Sequence, residues 1–126
     1  SYFLPRLVGL QQALEWVYSA EILTAEQALA GRLVRSVHPA DELLDAAMEL
    51  ARTFVVGRSA AAVGLAKQLL YRNSSADHPL AAHRSDSLAM FYTSINDGKE
   101  GVAAFLDKRE PKFSSLTSDI PDVFGD

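Results

Sequence analysis

Pro39-Ala40-Asp41-Glu42-Leu43-Leu44-Asp45-Ala46-Ala47-Met48-Glu49-Leu50-Ala51-Arg52-Thr53-Phe54-Val55 is the stretch on which the fold reading turns. Leu43, Leu44, Ala47, Leu50, Ala51 and Phe54 recur at the steps that place side chains on one face of a helix. Asp41 and Glu42 stand in the expected first turn, where negative charge favours the helix dipole. Gly57 then ends the element.

The same pattern extends in both directions. Towards the C-terminus, Ser59 is a cap for a helix reaching about Arg72, with Ala62, Leu65, Ala66 and Leu69 inward. Asn73 to His78 is a loop by composition. Pro79 opens a longer helix to about Ile95 that carries Leu88, Phe91, Tyr92 and Ile95. Asn96-Asp97-Gly98 is a turn signal, and a final helix covers Lys99 to about Glu110, with Val102, Phe105 and Leu106 inward and Pro111 as its stop.

Towards the N-terminus, Leu33-Val34-Arg35-Ser36-Val37 reads as a short extended piece. Thr24-Ala25-Glu26-Gln27 has the form of a capping box, and its short helix runs to about Ala30, with Gly31 as a left-handed stop. A first helix spans about Pro5 to Ser19, with Leu7, Leu10, Leu14 and Val17 as its stripe. The expected fold is all-α, with five to six helices joined by short loops and at most one short strand. Residues 1–113 form the helical domain and 114–126 a mobile tail, although Ile120, Val123 and Phe124 could dock on a neighbour.

Composition narrows the function. Of 126 residues, 48% are hydrophobic and 22% charged, the balance of a soluble globular protein. A net charge of -4 gives an average surface that attracts neither nucleic acid nor anionic membranes. No uninterrupted apolar stretch approaches the roughly 20 residues of a membrane span. The absence of cysteine removes disulfides, thiolate zinc sites and a cysteine nucleophile, and it fits a cytoplasmic location. Ser1-Tyr2-Phe3-Leu4-Pro5 runs straight into apolar residues without an initiator methionine, so the chain is expected to begin inside a larger protein.

Candidate chemistry within the chain is sparse. Asp41 with Glu42, or Glu21 with Glu26, could be imagined as a carboxylate pair, but capping and helix-end solubility explain them better. His38, His78 and His83 lack metal-ligand spacing, so no metal site is expected. Ser85-Asp86-Ser87 lies near His83 without anything to position a base. Lys99, Lys108, Arg109 and Lys112 form a basic cluster, readable as a solvated helix end complementing the dipole or as a phosphate-attracting group.

Three segments, in order, carry a resemblance: Phe3-Leu4-Pro5-Arg6-Leu7-Val8-Gly9, then Ala25 to Val34, then Glu100-Gly101-Val102-Ala103-Ala104-Phe105-Leu106-Asp107-Lys108-Arg109 with Pro111 and Phe113. Together they resemble the C-terminal helical half of the enoyl-CoA hydratase/isomerase (crotonase) superfamily, from Tyr2 to Phe113. Two positions depart from the pattern. Arg32 stands where the family usually has glycine, with Gly31 one place earlier, so the helix is expected to stop one residue sooner. Ala20 also occupies a common glycine position.

The resemblance implies a protein of fatty acid metabolism acting on acyl-CoA thioesters, most often a carbon–oxygen lyase. Such enzymes stabilise a thioester enolate in an oxyanion hole and use glutamates as general acid and base. Those groups lie upstream of the matched segments, so this chain is expected to hold no catalytic residue and to be inactive alone. No cofactor is implied, coenzyme A being part of the substrate. The helical half would serve a trimer-based homo-oligomer and complete the CoA site, often of a neighbouring subunit. Lys108 and Phe105 match the lysine and phenylalanine that approach CoA there, and Phe91 falls near the aromatic residue beside the acyl tail. Phe105 also lies on an apolar stripe, so core packing stays open beside ligand contact. The alternative is a free-standing helical interaction module without enzymatic activity.

Overall fold

Gly9 adopts φ 85 and ψ 155, and the helix expected over Pro5 to Ser19 is split there into α1 (Leu4–Val8) and α2 (Leu10–Ser19). Without a Cβ, glycine enters this region at no steric cost, so the apolar periodicity runs on while the backbone breaks. The computed structural model describes residues 1–125.

The capping box forms as expected. Gln27 N–H donates to Thr24 Oγ1 at 3.2 Å, and Thr24 N–H donates to Gln27 Oε1 at 2.8 Å, opening α3 (Ala25–Ala30). Its end corrects the expected stop. Gly31 sits at φ -79, and the left-handed residue is Arg32 at φ 62. Leu33 N–H bonds Ala28 O at 2.8 Å and Arg32 N–H bonds Leu29 O at 3.0 Å, the paired bonds of a Schellman motif. Ala20 is likewise left-handed, at φ 52. Both departures from glycine therefore fall where the backbone keeps a glycine-like conformation.

Leu33 to Arg35 form bends, Ser36 and Val37 are irregular, and no strand occurs among the described residues. Pro39 to Glu42 make a turn in which Glu42 and Leu43 both donate to Pro39 O at 3.0 Å. α4 (Leu43–Val55) thus starts later than expected, with Asp45 in its first turn. Leu43, Leu44 and Phe54 on its apolar face remain exposed. The boundary between two compact units, Ser1–Glu49 and Leu50–Asp126, falls within this helix.

The second unit contains α5 (Ala60–Asn73), α6 (Pro79–Ile95), α7 (Asp97–Leu106) and a short 3-10 turn, Thr117–Asp119. Ser59 caps α5 by accepting from Ala62 N–H at 3.1 Å. Its core joins Leu65, Ala89 and Val123, with Leu69, Tyr92, Ile120 and Phe124 packed around them. Ala66, expected inward, is exposed.

The stretch from Ser114 to Phe124, within the segment expected to be a mobile tail, docks within this unit. Val123 is 4% exposed, and Tyr92 Oη donates to Asp119 O at 2.9 Å. The apolar residues Ile120, Val123 and Phe124 supply the burial that the tail's polar composition conceals. Asn96-Asp97-Gly98 is not a free turn. Asn96, at φ -105 and ψ -117, breaks α6 from α7, and α7 begins at Asp97. The described residues thus form seven α-helices, against five to six expected, because Gly9 divides the first. None is long and apolar enough to cross a membrane.

Candidate functional site

α7 packs through its small side. Ala104 is buried, and a Cβ on Gly101 would meet the Phe113 ring at 3.7 Å. Val102, Phe105 and Leu106, expected inward, instead face out, with Phe105 83% exposed. Close approach of backbone to ring uses glycine and alanine, and the large apolar side chains of α7 are left in solvent.

The end of α7 carries Lys108. Lys108 N–H bonds Phe105 O at 3.3 Å and Arg109 N–H bonds Ala104 O at 3.0 Å, again the pair that defines a Schellman stop. Lys108 occupies its left-handed position at φ 52, where glycine would be free of strain. Phe105 and Lys108 are therefore coupled through one backbone bond. Phe91 stands on α6, 63% exposed.

Glu100 closes the far side of this turn. Arg109 Nη1 and Nη2 donate to its Oε1 and Oε2 at 2.6 and 2.9 Å, the two-pronged geometry that suits a guanidinium and a carboxylate. Lys112 N–H donates to Oε1 at 2.6 Å. The Arg109 bond first, and then the Lys112 amide, hold the Glu100 carboxyl down at about 2 and raise Arg109 in turn. Of the basic cluster, Arg109 is thus engaged, while the Lys108 ammonium has no hydrogen-bond or ion-pair partner among the described residues.

Asp97 is the buried acid of this unit, 7% exposed. Its carboxylate accepts from the Ser114 and Ser115 amides at 3.1 and 3.2 Å and from Ser59. Burial alone would push this carboxyl up, but the bonds from Ser59, Ser114 and Ser115 outweigh it and hold it below the ordinary value. These bonds tie the start of α7 to the start of α5 and the segment after Phe113.

The remaining titratable groups do not assemble into chemistry. His78 Nδ1 accepts from Leu80 N–H at 3.1 Å as the cap of α6. Ser85 Oγ lies 3.0 Å from Ala82 O on its own helix and 3.2 Å from Asn73 Oδ1 at the end of α5, and Ser87 donates to His83 O at 2.7 Å, so neither hydroxyl is paired with a base. No three His, Cys, Asp or Glu side chains converge on a metal position among the described residues. A cleft of about 410 Å³ is lined by residues including Arg72, Arg84 and Phe124, and one of about 290 Å³ by residues including Ser59, Asp97 and Phe113. Phe91, Phe105 and Lys108 line neither and stand on open surface. The Glu100 clasp and the Asp97 hub escaped the sequence reading, because both join residues far apart in the chain.

The family model described as enoyl-CoA hydratase/isomerase matches residues 1–116. An enoyl-CoA hydratase of Alternaria alternata is 39% identical over 116 residues, 90% of this chain and 38% of that protein. The 2,3-dehydroadipyl-CoA hydratase of Escherichia coli (strain K12) is 34% identical over 86% of this chain and 42% of its own length. The solved enoyl-CoA hydratase of Bacillus anthracis superposes with a TM-score of 0.79 at 30% identity, covering 87% of this chain and 42% of that one. The chain therefore spans about two-fifths of the length of these relatives.

Proposed function

Because the chain belongs to the enoyl-CoA hydratase/isomerase family, we propose that it is the C-terminal part of a protein acting on acyl-CoA thioesters. Hydration of a 2-enoyl-CoA, or a related reaction through a stabilised enolate, is the activity of the whole. This segment binds CoA and holds subunits together, and the catalytic acid, base and oxyanion hole come from upstream. The reaction needs no cofactor beyond the CoA of the substrate, and the protein works in the cytoplasm.

One observation carries the reading: Lys108 occupies a left-handed position that favours glycine, its ammonium unpaired among the described residues, beside an exposed Phe105. A strained residue retained at an accessible point is an argument for a role there. Lysine offers a point charge to phosphate oxygens, and a phenylalanine ring covers an adenine or an acyl chain. Phe91 is assigned to the acyl tail. The association role is supported by the apolar residues left uncovered in both units, among them Ile22 at 98% exposure, since contiguous apolar surface tends to mark contact with another protein.

The test compares the full-length gene product with this 126-residue chain. The former is expected to hydrate crotonyl-CoA and the latter to show no turnover above background. In the full-length protein, Lys108→Ala is expected to raise KM more than it lowers kcat. Turnover by the short chain, or an unchanged KM, would count against the assignment. Full-length protein without activity on any acyl-CoA, yet with a stable protein partner, would favour a helical interaction module.

A further inference from the structure

We propose that Glu100 is a positioning residue for Lys108, acting through Arg109 and Lys112. This rests on the CoA-binding reading of Lys108. Glu100 lies in the first turn of α7, whereas the groups it holds lie beyond the helix end. Its two oxygens receive three donated bonds, two from the Arg109 guanidinium and one from the Lys112 amide. Arg109 follows Lys108 directly, so the clasp fixes the chain immediately after the left-handed residue.

Lys108 needs such support. A lysine at φ 52 has a strained backbone and keeps that conformation only where its surroundings impose it. The Schellman bonds, donated by the Lys108 and Arg109 amides, supply part of the constraint. The Glu100 clasp adds to it from the Arg109 side chain and the Lys112 amide and prevents the turn from unwinding into a longer α7. It also engages the guanidinium of the neighbouring arginine, so that Arg109 does not compete with Lys108 at the turn. A loosened turn would let the ammonium swing away from a fixed phosphate without removing the charge itself.

The experiment uses the full-length gene product in wild-type, Lys108→Ala, Glu100→Gln, Arg109→Lys and Glu100→Gln/Lys108→Ala forms, with crotonyl-CoA as substrate and circular dichroism to establish folding. Glu100→Gln is expected to raise KM about tenfold, the scale of a displaced binding contact, with kcat nearly unchanged. The double variant is expected to match Lys108→Ala, because a residue that acts through Lys108 adds nothing once Lys108 is gone. Arg109→Lys keeps the charge and loses the fork, and its KM is expected to fall between wild type and Glu100→Gln. A purely structural role would lower the melting temperature and leave KM alone. If Lys108→Ala raises KM and the folded Glu100→Gln does not, positioning is refuted and the CoA-binding reading stands. If Glu100→Gln fails to fold, an unchanged KM in Arg109→Lys refutes it instead. If Lys108→Ala itself leaves KM unchanged, the underlying reading fails.

Discussion

The Trp16 indole lies against Gly31 so closely that a Cβ at position 31 would stand 2.3 Å from Cη2 and 2.4 Å from Cζ2. Gly31 has an ordinary φ of -79, so its glycine serves this contact, and the left-handed conformation falls to Arg32. Adjacent residues thus carry opposite expectations. Gly31→Ala should destabilise the protein by about 1–3 kcal/mol through overpacking. Arg32→Gly should stabilise it by about 1 kcal/mol by removing the left-handed penalty. Denaturant midpoints of the two variants check both signs, and a neutral Gly31→Ala would mean that the indole rotates aside.

Asp97→Asn should cost on the order of 2 kcal/mol, because the amide replaces an accepting oxygen with a second donor facing Ser59, Ser114 and Ser115. The wild-type carboxyl is held below its ordinary value. Its stabilising contribution is therefore complete above the ordinary aspartate range and is lost as pH falls through the lowered folded value. Urea midpoints at pH 7 should separate the two proteins, and the gap should narrow in acid.

Glu100 titrates at about 2 in the folded protein, against an ordinary value of 4.5. Its contribution to stability is present above 4.5 and disappears as pH drops towards 2, since the unfolded chain takes up the proton first. Glu100→Gln should remove this part of the acid dependence. Denaturation curves recorded through that window would show a shallower loss for the variant, and parallel curves would place the acid sensitivity elsewhere.

Lys108→Gly separates stability from binding. Removing the Cβ at φ 52 should raise stability by about 1 kcal/mol, while removing the ammonium should weaken CoA binding. Melting temperature and calorimetric titration with CoA give the two readings on one variant. A fall in stability would show that the lysine stem contributes packing that its exposure conceals.

Much of the helical layout was legible because its punctuation is local. Thr24 with Gln27, Ser59 with Ala62, and Pro79 each act within one turn of chain, and each starts a helix where expected. Gly57 marks a break for the same reason, whereas α7 ends at Leu106, ahead of the stop expected at Pro111, because the Schellman bonds at Lys108 close it first. The orientation of α7 was misread: Val102, Phe105 and Leu106 have the periodicity of a buried face, yet Gly101 and Ala104 make the contact. Periodicity reports that a helix has two faces and does not say which partner each one meets. Of the proposed site, Lys108 and Phe105 were named through the family motif, whereas the left-handed conformation of Lys108 was not.

By itself, then, the sequence determined the all-α class, most helix starts, and the ordered motifs that tie the chain to the enoyl-CoA hydratase/isomerase family. Those features depend on hydrogen bonds and dihedral preferences spanning a few residues. Tertiary structure decided that Val123 enters the core beside Leu65, that Asp97 gathers Ser59 and Ser114, that Trp16 covers Gly31, and that Glu100 reaches Arg109. Each of these joins distant parts of the chain, and its free energy depends on packing and desolvation that no local pattern encodes.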